Sequence, residues 1–129
     1  MATVNLTQST FESTIKDNAI VLVDFWAPWC GPCRSFAPVY EEMSAEYPDA
    51  IFAKVNTEEE KDLAGFFSIR SIPTLMIFRE QIIIFSQPGS LPASALKEVI
   101  DKSSGLDMDV VRKEVAKQQE EAAKQQAAT

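Results

Sequence analysis

The stretch that decides the fold reads Ala19-Ile20-Val21-Leu22-Val23-Asp24-Phe25-Trp26-Ala27-Pro28-Trp29-Cys30-Gly31-Pro32-Cys33-Arg34. From Ala19 to Trp26 it is apolar on both faces apart from Asp24. Such a run marks a central strand covered on both sides. From Gly31 onward Phe36, Tyr40, Met43 and Tyr47 recur at helical spacing, with Pro38 inside the pattern as an expected kink. A C-x-x-C lying between a buried strand and a helix reads as a redox pair. On the first helical turn, residues i and i+3 lie about 5–6 Å apart, within disulfide range. A thiolate on Cys30 would face the free N–H groups of the helix N-terminus, which favour the anion and lower its pKa. Cys33, one turn further in, is expected to be less exposed. Cys30 is therefore the expected attacking thiol, and Cys33 the thiol that resolves the mixed disulfide. Other readings of the pair are weaker. A structural disulfide closing so short a loop would constrain the unfolded chain little. Zinc needs about four ligands, and the sequence has no histidine and no further cysteine. Two inert core cysteines would not favour a Gly-Pro spacer.

Outward from this stretch, helix and strand signals alternate. Thr7 to Lys16 opens on polar cap residues, with Ser9 and Glu12 as the expected capping box. Ile51 to Val55 reads as a strand, and Thr57 with Glu60 as a second capping box. Thr74 to Phe78 and Ile82 to Phe85 are strands joined by a short polar turn, hence antiparallel. Ser90-Leu91-Pro92 starts a helix with Leu96, Val99 and Ile100 as its stripe. With a short strand at Thr3 to Asn5 the sheet has five strands, and without it four. The expected class is α/β: a mixed sheet with helices on both faces.

The chain has 129 residues, room for one compact domain. Apolar residues make up 46% and charged residues 24%, a globular mixture rather than a disordered one. Asp24 and the prolines break the apolar runs, so no membrane span is expected. The N-terminus has no basic region followed by an apolar core, so no secretory signal is expected. The formal charge is −7, which makes nucleic acid and anionic membrane poor partners. The lack of histidine removes Cys-His and Ser-His-Asp mechanisms. Residues 1–105 hold 8 basic and 14 acidic side chains, and residues 106–129 hold 4 and 5. The second segment has no aromatic, glycine or proline. A boundary is placed near Gly105, in the C′ position of a helix. This gives a domain over 1–105 and an Ala/Gln-rich helical tail over 106–129.

The segment Asp24 to Arg34 resembles the active-site segment of the thioredoxin family. The resemblance continues through Pro38, Lys54-Val55-Asn56, Ile69-Arg70-Ser71-Ile72-Pro73-Thr74-Leu75 and Gly89, and covers about residues 4–103. Thioredoxin is itself the usual illustration of a tuned C-x-x-C thiol. The wording is closest to the catalytic domain of the second bacterial branch, without the zinc module that usually precedes it. The resemblance implies a thioredoxin fold and a protein-disulfide reductase working by dithiol–disulfide exchange. It implies recycling by an NADPH-dependent thioredoxin reductase, disulfide-containing client proteins, no bound cofactor or metal, and a cytoplasmic setting.

The resemblance also assigns roles. Asp24, placed in an apolar strand, should have a raised pKa. It would take the proton from Cys33 at the resolving step, with Lys54 nearby to modulate it. An Asp at a strand end in contact with water is the alternative. Pro73, after Ile72, is implied to be cis, in a loop beside the C-x-x-C whose main chain pairs with substrate backbone; a turn proline opening a strand is the plainer reading. Trp29 is expected as a partly exposed apolar rim beside Cys30, while Trp26 reads equally as core. Gly31 and Pro32 complete the motif, and Pro32 restricts its backbone. Gly89 lets partner backbone approach, or is simply a turn glycine.

Two features depart from the family pattern. The turn Arg79-Glu80-Gln81 lacks the usual Asn-Gly or Asp-Gly. The strand after it, Ile82-Ile83-Ile84-Phe85, is apolar on both faces at an expected sheet edge, where it invites pairing unless covered. In the tail Met108, Val111, Val115 and Ala122 share one helical face, and Asp109 with Lys113 and Glu120 with Lys124 form i,i+4 pairs. This reads as a helix that caps the edge strand, as a surface for self-association, or as a solvated extension. Two rival functions remain open on sequence: an oxidase or isomerase of the cell exterior, and a binding or chaperone-like module whose thiols are secondary.

Overall fold

The long apolar run becomes the middle of a five-stranded sheet. The computed structural model describes residues 3–128. Met1 and Ala2, where no secretory signal was expected, and Thr129, the end of the tail, lie outside the described residues. The elements are β1 (Thr3–Asn5), α1 (Gln8–Asp17), β2 (Ile20–Trp26), α2 (Gly31–Glu46), β3 (Ile51–Asn56), α3 (Lys61–Phe66), β4 (Thr74–Arg79), β5 (Ile82–Pro88), α4 (Ala93–Ser104) and α5 (Met108–Ala128). The sheet order is β1-β3-β2-β4-β5. β3 runs parallel to β1 and β2, and β4 runs antiparallel to β2 and β5. The sheet is mixed, with five strands rather than four.

The strand period of two explains the two-faced apolar run. Val21, Val23 and Phe25 point into one core with Phe11 and Ile15 of α1 and Leu63 of α3. Leu22 points into the other, with Phe36 and Tyr40 of α2 and Leu96 and Ile100 of α4. Helix α2 continues through Pro38, and its buried stripe is Phe36, Tyr40 and Met43 as the spacing predicts. No helix among the described residues is long and apolar enough to cross a membrane.

Several local expectations are corrected. The N-cap of α1 is Thr7, not Ser9, and Thr10 rather than Glu12 reaches back, its Oγ1 accepting the Thr7 N–H at 2.9 Å. Thr57 and Glu60 form no capping box. The Thr57 hydroxyl donates instead to the Trp26 carbonyl at 3.0 Å, and α3 starts only after Glu60. Glu60 Oε1 accepts the Gln8 N–H across the fold at 2.9 Å. Gly105 follows α4 as expected, but with φ −87° it is not left-handed.

The hairpin turn is tight despite its residues. Glu80 and Gln81 both have positive φ, 50° and 73°, the backbone that a two-residue turn matched to sheet twist requires and that glycine or asparagine usually supplies. Long-range contacts hold it. The Glu80 N–H donates to the Ala19 carbonyl at 2.8 Å, and the Glu80 carboxylate accepts from Arg112 of α5. Arg79 donates through Nη1 to the carbonyls of Ser103 and Ser104, at 2.7 and 3.1 Å, at the end of α4. Asp109 pairs with Arg112 at 2.5 Å, not with the expected Lys113; Glu120 and Lys124 pair at 3.4 Å as expected.

These contacts dock the first half of α5. Met108 is buried, Val111 and Val115 are half-buried, and Ala122 is exposed. The stripe therefore works over its first two turns only. In β5 the register shifts between Ile77 and Phe78, which pair with Phe85 and Ile83. Ile84 is the extra residue of a bulge. Ile84 and Phe85 both pack against the α2–α4 core, which accounts for the second half of the strand's apolar run, while Ile83 stays exposed.

Candidate functional site

The site is built where β2 ends and α2 begins. Cys30 is the N-cap of α2, and Pro32 stands in the first turn, where a missing N–H leaves no helical bond unmade. The Cys33 N–H points at Cys30 Sγ, at 3.2 Å. This is the donor geometry expected to favour a thiolate there. Cys30 and Cys33 are joined as a disulfide with Cα atoms 5.2 Å apart. Cys30 is 5% and Cys33 2% exposed, so the order follows expectation but both are buried in the oxidised pair. Trp29 is 63% exposed beside them. Gly31 and Pro32 lie on the surface, and a Cβ at Gly31 would meet nothing within 4 Å.

The loop before β4 closes the other side. The Ile72–Pro73 peptide bond is cis, and the Ile72 carbonyl oxygen lies 3.7 Å from Cys30 Sγ. Gly89, at the end of β5, has φ +103°. Its N–H donates to the Pro73 carbonyl at 2.8 Å. A Cβ at Gly89 would meet nothing within 4 Å, so its backbone, not crowding, calls for glycine. Ile72, Pro73 and Gly89 are thus gathered beside the cysteines, as the family pattern implies.

In the middle of β2, Asp24 is 1% exposed, so the water-contacting alternative does not hold. Among the described residues, neither carboxylate oxygen has a hydrogen-bond partner. Burial pushes its pKa up to about 7, and the positive charge of Lys54 opposes part of that rise. Lys54 faces Asp24 in the β2–β3 register, and its Nζ lies 4.6 Å from the centre of the Trp26 ring. Trp26 packs against the small buried cluster of Ala27, Cys30 and Cys33.

Three residues make contacts that the sequence patterns did not specify. Ala27 is fully buried against the cysteines. The Tyr40 hydroxyl donates to the Ala53 carbonyl at 2.8 Å, and burial together with the Asp24 charge pushes its pKa up. Thr57 ties the end of β3 to the Trp26 carbonyl. The Tyr40 and Thr57 bonds join segments 13 and 31 residues apart in the chain.

A family model described as Thioredoxin matches residues 2–102. A putative thioredoxin 2 of Streptomyces coelicolor is 55% identical over 121 residues, covering 94% of this chain and 90% of that protein. That match extends into the C-terminal helix. Thioredoxin 1 of Synechococcus elongatus is 46% identical over 99 residues, covering 75% of this chain and 92% of its own length. Among solved structures, a Plasmodium falciparum thioredoxin superposes with a TM-score of 0.73 at 37% identity, covering 78% of this chain and 98% of that one. With its Cys30–Cys33 disulfide at the N-terminus of α2 and these relatives, the chain belongs to the thioredoxin family and is a thiol–disulfide oxidoreductase acting on protein disulfides.

Proposed function

We propose that the reduced protein attacks client disulfides through Cys30. The Cys30 thiolate bonds to one client sulfur and the other leaves as a thiolate. Cys33 then gives its proton to the ionised Asp24 carboxylate and attacks Cys30 Sγ. The second client sulfur leaves, and one client disulfide has become two thiols while the enzyme dithiol has become a disulfide. The two electrons move from sulfur to sulfur, so the exchange needs no bound metal or cofactor. One observation supports this most: the Cys33 N–H lies 3.2 Å from Cys30 Sγ; the buried Asp24, with a pKa pushed up to about 7, can accept and return a proton near neutrality.

In this reading Lys54 sets the acidity of Asp24. Trp29, Gly31, Pro32, Ile72, Pro73 and Gly89 form the client-binding rim. The Ile72 carbonyl beside Cys30 suits backbone pairing with an extended client segment, which adds affinity without reading much sequence. The clients are disulfide-containing proteins. The oxidised pair is returned to the dithiol by an NADPH-dependent thioredoxin reductase, and the reducing cytoplasm is the setting. NADPH-driven reduction of insulin disulfides with a bacterial thioredoxin reductase tests this. The intact protein is expected to turn over and Cys30→Ser and Cys33→Ser to fall to background. Turnover that survives either substitution would overturn it.

A further inference from the structure

Away from the thiols, α1, α3, β5 and α5 enclose an open apolar groove of about 840 Å³. Phe11, Phe67 and Phe78 form its floor, Leu63, Phe66 and Ile83 its walls, and Val115 of α5 its far side. Phe66 is 80% and Ile83 44% exposed. None of the residues placed at the thiol site lines it. Large side chains held open to water around a concave floor are what protein-docking surfaces present.

The rim indicates what the groove would take. Glu12 and Asp62 stand at its edge, and through Gln8 and Asp62 it runs into a smaller hollow lined by Glu59, Glu60 and Lys61. Four carboxylates thus face two lysines, Lys16 and Lys61. Glu12, Glu59, Glu60 and Asp62 make no ion pair among the described residues. An apolar trough ending in carboxylates without ion pairs complements an apolar segment flanked by lysine or arginine. A second copy of this chain would bring a net charge of −7 to the same acidic rim, which disfavours it as the occupant.

We propose that this groove is a second docking surface, which holds a basic, apolar segment of a protein partner while leaving the thiol pair open. The segment's apolar side chains cover Phe66 and Ile83, and its cations meet Glu12, Glu59 and Asp62. The proposal stands on the groove and does not depend on the exchange mechanism.

The test uses the full chain and a dye-labelled amphipathic peptide with leucine at i, i+3, i+4 and i+7 and lysine elsewhere. Binding is read by fluorescence anisotropy, and insulin turnover is measured in parallel. Removal of the apolar walls (Phe66→Ser with Ile83→Ser) and reversal of the rim (Glu12→Lys with Asp62→Lys) are each expected to weaken binding by on the order of tenfold. Turnover should be unchanged in both variants, which also shows that they are folded. A peptide with glutamate in place of lysine should bind at least about tenfold more weakly. The proposal is overturned if the lysine peptide does not bind, if both variants bind it as tightly as the parent, or if peptides of either sign bind alike. It is also overturned if the protein is a dimer in solution that the peptide dissociates, because the groove would then belong to a second copy.

Discussion

Replacing Asp24 by asparagine should make the protein more stable at neutral pH and above, while leaving little difference in acid. In the folded chain the Asp24 carboxyl titrates near 7, against 3.8 when solvated. A folded-state pKa above the unfolded value means that the folded protein holds the proton more tightly. The stability this provides is complete below pH 3.8 and is lost as pH rises through 7. At about 1.4 kcal/mol per pH unit, the ionised carboxylate lowers stability by about 4 kcal/mol above neutrality relative to the protonated one. The cause is desolvation: Asp24 is 1% exposed and neither oxygen is bonded. Asparagine is neutral throughout and nearly the same shape. The assay is urea unfolding of the oxidised protein and of Asp24→Asn between pH 4 and 8.5. Other carboxylates titrate alike in both, so the difference between the two isolates this site. It should grow by about 4 kcal/mol from pH 4 to 8 in favour of the variant and then level off. A difference that stays constant with pH, or that shrinks as pH rises, would refute the reasoning.

Two further predictions concern the end of the hairpin. Arg79→Ala removes the donor to the Ser103 and Ser104 carbonyls. It should lower stability by about 1–3 kcal/mol in urea unfolding, more than Arg112→Ala, whose pair with Glu80 is exposed and screened by solvent. Gln81→Gly relieves a side chain held at φ 73° and should raise stability by about 0.5–1 kcal/mol, read as a higher thermal midpoint in calorimetry.

The sequence carried the centre of the fold well and its periphery poorly. The strand from Ile20 to Trp26 and the helix after it are set by local apolar period, so they could be read directly. Asp24 was legible because an acid inside an apolar run has no local way to reach water. The caps of α1 and α3 were misplaced for two different reasons. Near α1, Thr7, Ser9 and Thr10 are chemically equivalent cap candidates, and backbone geometry selects Thr7. Near α3, Thr57 is drawn away by the Trp26 carbonyl, thirty-one residues distant in the chain. The turn at Glu80 and Gln81 was not legible because its positive φ angles are held by Ala19 and Arg112 rather than by its own residues. The tail showed an apolar stripe, yet only Arg79, Glu80 and Arg112 together reveal how its first turns are tied to the domain. The bulge at Ile84 likewise depends on pairing, which a one-dimensional alternation does not contain.

The account rests on Cys30 attacking first and Cys33 releasing the product. Mixing reduced Cys33→Ser with an oxidised client and mapping the adduct by peptide mass spectrometry tests this most directly. The account predicts a stable client disulfide on Cys30 that forms rapidly and is not released, with Cys30→Ser trapping little client through Cys33. Equal trapping through Cys33, or no adduct on Cys30 in a folded Cys33→Ser protein, would contradict it.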